Sequence, residues 1–192
     1  VRRFAQGESV QVLSPYNNKG NLSAYALNMA IRDRVNPLEH GKMVLKRDKD
    51  SFRDNDRVII LQNDRERNCS NGDVGILHIL RAEEKRVAYC VELPDGRRPT
   101  WDDASGLAQL SLAYCLTVHK SQGSEYDTIL LPVAKGMDGM LSRNLLYTAI
   151  SRAKKRVILY GDPQALDVAV QKNLPQRKSL LVPKTRMLLE CA

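Results

Sequence analysis

The sequence predicts an α/β fold in which a parallel-sheet domain is interrupted by a small inserted antiparallel β-barrel. Three observations lead there. Strand patterns alternate with helical ones at both ends of the chain. Between them lie short β-rich runs separated by Gly, Asn and Asp turns. Of the 192 residues, 43% are hydrophobic but only 5% aromatic, which supports a real core and makes it aliphatic. The expected division is 1–40 and 107–192 for the parallel-sheet domain and 41–106 for the barrel.

In chain order, "VQVLSP" (10–15) is a buried-strand pattern closed by Ser14-Pro15. The turn-rich "YNNKGN" leads to Ser23, an expected N-cap, after which Leu27, Ala30, Ile31 and Arg34 follow at helical spacing. Asn36-Pro37 stops that helix, because a residue before proline resists the helical region. The barrel is expected from "DRVIIL", "GDVGILHIL" and "RVAYCVEL", with "NDRERNCSNG", "RAEEK" and "PDGRR" as connections. After Gly106 the parallel pattern returns. "LSLAYCLTV" reads as a strand, "HKSQG" as one helical turn at most, and "DTILLPV" as a second strand. "SRNLLYTAISRAKK" reads as a helix burying Leu145, Leu146, Ala149, Ile150 and Ala153, and "RVILYG" as a third strand. "DPQALDVAVQKN" opens a last helix, with Asp162 as N-cap and Pro163 at its first position.

Net charge is +8, which favours a polyanionic partner without choosing one. The cations are unevenly spread. Arg143, Arg152, Lys154, Lys155 and Arg156 occur between Gly139 and Tyr160 with no acid, and five more follow between Val168 and Leu189. In the barrel, Arg53, Arg57, Arg65 and Arg67 are balanced by Asp48, Asp50, Asp54, Asp56, Asp64 and Glu66, which argues against a strong nucleic-acid groove there. Cys69, Cys90, Cys115 and Cys191 show no C-x-x-C spacing, so neither a zinc site nor a disulfide framework is expected. No apolar run approaches the roughly twenty residues needed to span a bilayer. The expectation is a cytoplasmic protein with no membrane partner. The opening "VRRFAQGESVQVLSP" begins as though in mid-protein, and a fragment is expected.

Two segments, one loop and one helix, can do chemistry. "TVHKSQGSEYD" leaves the carboxyl end of a strand, where open parallel sheets bind ligands. Thr117 can cap the turn, leaving backbone N–H groups beside His119, Ser121 and Gln122 for phosphate oxygens. Gly123 allows a left-handed exit, and the Glu125 carboxylate suits sugar hydroxyls. A polar surface turn is the bland alternative for any one of these residues; the whole string at a strand end argues against it. Arg152 falls at the rim of the buried helix face, where a rigid guanidinium fork suits a phosphate gaining charge. The competing explanation, a cation near a helix C-terminus, fits Lys154 and Lys155 better.

"LAYCLTVHKSQGSEYDTILLP" resembles motif V, and "RNLLYTAISRAKKRVILYG" motif VI, of superfamily I DNA helicases, in the RecD-like branch (exodeoxyribonuclease V alpha subunit and its relatives). "VQVLSPYNNKGNLSAYALNMAIRDRVNP" is similar to that branch's motif IV region, and "DRVIILQNDRERNCSNGDVGIL" to the start of its SH3-like barrel, called 2B. The resemblance implies a RecA-like, P-loop NTPase-type second motor domain, called 2A, carrying the inserted SH3-like barrel. It further implies Arg152 as arginine finger, with Gly123 and Glu125 lining ATP and Glu125 meeting the ribose. Thr117, His119, Ser121 and Gln122 would face the single-stranded DNA backbone, with Pro15 and Asn17 as weaker DNA-side candidates. No metal ligand is expected in this chain. No G-x-x-x-x-G-K-[ST] run occurs, and the "GKMVL" run at 41 lacks the preceding glycine and following hydroxyl. ATP and Mg would therefore need an N-terminal motor domain of the same polypeptide, and this chain alone should not hydrolyse ATP. The implied whole is a 5′-to-3′ helicase, with nuclease subunits as further candidate partners. The alternatives are a non-catalytic nucleic-acid-binding module with a motor fold and the helicase part of a plasmid relaxase.

Overall fold

The computed structural model describes residues 9–47, 50–83, 86–137 and 139–172. The opening "VRRFAQGE", Asp48, Cys191 and all of the second basic cluster but Lys172 lie outside the described residues. Four strands form one all-parallel sheet: β1 (Val10–Ser14), β9 (Cys115–Thr117), β10 (Tyr126–Val133) and β11 (Ala153–Gly161), in the order β11-β10-β1-β9. Helix α1 (Ala24–Val35) starts at Ser23, whose hydroxyl accepts from the Ala26 N–H, and ends at Asn36. It covers one side of the sheet, with Ala24 packed among Val12 and Cys115. Helices α2 (Arg143–Ile150) and α3 (Pro163–Gln171) pack on the aliphatic cluster of Leu131, Val133, Leu145, Leu146 and Ala149. Asp162 caps α3 through the Gln164 N–H, with Pro163 at its first turn, as the sequence predicts.

Between α1 and β9 the chain builds the barrel. Strands β2 (Val44–Arg47) and β3 (Asp50–Arg53) make a hairpin. Strands β4 (Arg57–Ile60), β5 (Val74–Glu83), β6 (Arg86–Glu92), β7 (Thr100–Trp101) and β8 (Leu110–Leu112) make a five-stranded antiparallel sheet in the order β7-β6-β5-β4-β8. Its core gathers Leu45, Phe52, Val58, Ile60, Leu77, Val91 and Leu110 around Tyr89 and Trp101, whose rings stack at 5.4 Å.

Two expectations are corrected. "LSLAYCLTV" is not one strand: Leu110–Leu112 pair antiparallel with β4, whereas Cys115–Thr117 pair parallel with β1. Leu110 is buried in the barrel core, so the barrel sheet runs past residue 106. The helix expected over 142–155 stops at Ile150, and Ala153, Lys154 and Lys155 are already in β11. Pairing along β10 outweighs the helical preference of "SRAKK". Ile150 is thereby left exposed, and a helix-terminus role for the two lysines does not apply.

Barrel and sheet domain meet through buried polar groups. Gln11, the second residue of β1, donates to the Ala113 and Tyr114 carbonyls at 3.2 and 3.3 Å and accepts from Arg57 at 3.2 Å. Asp56 is fully buried and accepts from Asn36 Nδ2 (2.8 Å), the Arg53 N–H (2.8 Å) and the Tyr114 hydroxyl (3.0 Å), with Arg32 at 3.9 Å. Arg32 also donates to the Ser51 carbonyl at 2.7 Å.

Candidate functional site

The segment 118–125 connects β9 to β10, two parallel strands that flank β1, so it must travel from the carboxyl edge of the sheet back to the amino edge. It starts beside the end of β1, where the Val118 N–H donates to the Ser14 carbonyl at 3.0 Å. It ends where the Tyr126 N–H donates to the Arg152 carbonyl at 2.9 Å. One loop therefore touches the end of β1 on one side and Arg152 on the other.

The first half is tightly wound. The Lys120 N–H donates to Thr117 Oγ1 (3.2 Å), the Ser121 N–H to the Thr117 carbonyl (3.1 Å), and Ser121 Oγ to the Val118 carbonyl (2.8 Å). The Gln122 N–H donates to the His119 carbonyl at 3.2 Å, and Gly123 leaves the turn at φ +87°. Thr117 and Ser121 are thus turned inward, 8% and 0% exposed, and shape the turn from within. The N–H groups of Ser121 and Gln122, expected to be free for phosphate, are used by the turn itself. What faces outward is His119, Lys120 and Gln122. These three side chains, with Leu61, Asn71 and Gly72 of the barrel, line a cleft of about 470 Å³. In the loop after β1, Pro15 is buried, whereas Asn17 is exposed and its carbonyl accepts from the Tyr25 N–H at 2.9 Å.

At the other end, Arg152 sits one residue past Ser151, the C-cap of α2. Its Nη1 donates to the Ser124 carbonyl at 3.4 Å and Nη2 to Ser151 Oγ at 3.2 Å, while Nε is buried with no hydrogen-bond partner among the described residues. Among the described residues no carboxylate pairs with Arg152, although Lys154 pairs with Glu125 (3.4 Å) and Lys155 with Asp127 (3.1 Å). A guanidinium held by neutral oxygens keeps its charge available to an anion. Glu125 is exposed beside it, and a Cβ on Gly123 would meet nothing within 4 Å, so the backbone there is open to a ligand.

The sequence reading missed Lys120, although it stands inside the quoted string. It also missed Asn71 and Gly72, for which no sequence signal existed. Their turn becomes part of the site only because the barrel packs beside 118–122.

The fold is thus a parallel sheet with a barrel inserted after its first helix, and Arg152 stands beside the loop that connects two of its strands. Residues 112–160 match the UvrD-like helicase C-terminal domain family, and residues 27–90 the ATP-dependent RecD-like DNA helicase SH3 domain family. ATP-dependent RecD2 DNA helicase of Deinococcus radiodurans is 34% identical over 97% of this chain, and RecBCD enzyme subunit RecD of Haemophilus influenzae is 26% identical over 91%. This chain spans 25% of the length of each of those proteins. The crystal structure of Bacteroides Pif1 bound to ssDNA shares the fold, with a TM-score of 0.55 at 17% identity over 95% of this chain and 46% of that one. The chain belongs to the RecD-like DNA helicases and corresponds to their C-terminal portion. Among the described residues no helix is long and apolar enough to cross a membrane.

Proposed function

We propose that this chain is the second motor domain of an ATP-driven helicase, moving 5′ to 3′ along single-stranded DNA. In this reading His119, Lys120 and Gln122 grip the strand with Asn17 beside them, while Thr117, Ser121 and Pro15 hold the grip in shape. Arg152 would reach ATP and Mg held by an N-terminal motor domain of the same polypeptide, with Gly123 and Glu125 along the nucleotide and Glu125 nearest the ribose. ATP supplies the free energy of phosphoryl transfer, and the guanidinium of Arg152 places positive charge where the transferred group gains negative charge. The observation that carries the reading is the single loop 118–125, tied to the end of β1 at Ser14, just before the loop that holds Asn17, and to Arg152 through Tyr126. A displacement of Arg152 toward the nucleotide would pull on that loop and alter the grip. Nuclease subunits are partners by analogy with the RecBCD subunits among the relatives.

The test is Arg152→Ala in the full-length protein, read by DNA-stimulated ATP turnover and by strand binding. Loss of a residue that stabilises the transferring phosphoryl group costs about 10³-fold or more in turnover. Turnover should therefore nearly vanish while weak strand binding persists. Turnover at the wild-type rate removes Arg152 from the reaction.

A further inference from the structure

A second cleft, of about 270 Å³, lies on the other side of Lys120, between the motor domain and the β2–β3 hairpin of the barrel. We propose that it receives one nucleobase of the bound strand, flipped out of the phosphate track, with Tyr25 as its stacking platform. The inference rests on the strand-binding reading above and adds to it a pocket for the base.

The lining chemistry is that of a base and not of a phosphate. Tyr25 is 50% exposed at the mouth, and Met29, one helical turn further along α1, continues the same wall with a polarisable thioether. Aromatic faces hold unstacked bases irrespective of sequence. Asn17 and Asn18 bring side-chain amides, each with donors and an acceptor, which suits base edges. A phosphate inside would meet the Asp50 carboxylate. The arginine within, Arg47, is already committed to Asp50 at 3.1 Å and to the Leu107 and Leu110 carbonyls at 2.6 and 2.9 Å. Lys120 is exposed and lines both this cleft and the one walled by His119 and Gln122. A strand whose phosphate rests on Lys120 can therefore send a base into one cleft while its backbone continues over the other.

The experiment compares binding of the protein to a single-stranded oligonucleotide and to the same strand made abasic, by fluorescence anisotropy over a salt series. Tyr25→Ala should weaken the intact strand by about 5- to 150-fold, the range for loss of one base–aromatic stack, and leave the abasic strand unchanged. Lys120→Ala should weaken both strands alike and lower the salt slope by about 0.7. Equal affinity of Tyr25→Ala and wild type for the intact strand overturns the base pocket, as does equal weakening on both strands. If Lys120→Ala still weakens binding in those cases, the strand-gripping turn stands without the pocket. If the wild-type protein binds no single strand, both readings fall.

Discussion

Asp56 shows how a single residue can join two parts of a molecule. In the sequence it is one of six acids that balance the barrel arginines; in the structure it accepts from the barrel at Arg53, from the end of α1 at Asn36 and from the segment before β9 at Tyr114. Burial pushes its carboxyl above the usual aspartate range, outweighing the opposing pull of the Arg53 N–H, Asn36, Tyr114 and Arg32. A raised folded value means that the protonated form is favoured on folding. The stability this group contributes is fully present below the ordinary carboxylate value and is lost as pH rises through the folded one. Asp56→Asn should therefore flatten the decline in stability from about pH 4 upward, seen as urea midpoints that no longer fall with pH over that window. An unchanged slope would place the titration elsewhere. Ser121 teaches the complementary lesson. A hydroxyl in a polar string suggests a ligand, but the carbonyl of Val118 is 2.8 Å away and takes it first.

Among the elements, those with local signals were legible. α1 and α3 start at the caps the sequence names, because Ser23 and Asp162 need only their own next turn to act. The end of α2 was not legible, since nothing within "AISRAKK" competes with helix; the competitor is β10, more than twenty residues earlier. The break inside "LSLAYCLTV" was hidden for the same reason, each half being claimed by a different sheet. Of the candidate site, the loop and its two ends were legible as types of residue. Which side chains point outward was not, because that depends on hydrogen bonds within the turn. Two glycines give an element-level test. Gly123 and Gly161 both have positive φ, but only at Gly161 would a Cβ collide with a carbonyl, that of Val133 where β11 ends. Gly123→Ala should cost about 1 kcal/mol from backbone strain. Gly161→Ala should cost about 1–3 kcal/mol more, as a lower urea midpoint at unchanged slope. Equal midpoints would mean that the end of β11 yields easily.

At the scale of the whole molecule, the polar joint should make barrel and sheet domain unfold together. The chain's one tryptophan, Trp101, is buried in the barrel, so its fluorescence reports that part alone, whereas far-ultraviolet circular dichroism also sees the helices of the sheet domain. The two signals should give coincident denaturation curves in the wild type. Asp56→Ala leaves Arg32 and three other donors facing a cavity, a loss of about 3–5 kcal/mol, and the two curves should then separate. Curves that separate already in the wild type would show that the joint does not couple the parts.

The place of β1 in the sheet also dictates an order of events during synthesis. Its two neighbours, β9 and β10, are encoded about a hundred residues downstream, beyond the entire barrel. The barrel's antiparallel ladders close mostly between strands adjacent in sequence, so it can mature while β1 waits unpaired behind it. The module that looks like an ornament on the motor is then complete before β1 finds its partners, and this chain's parallel sheet assembles afterwards against a wall already standing.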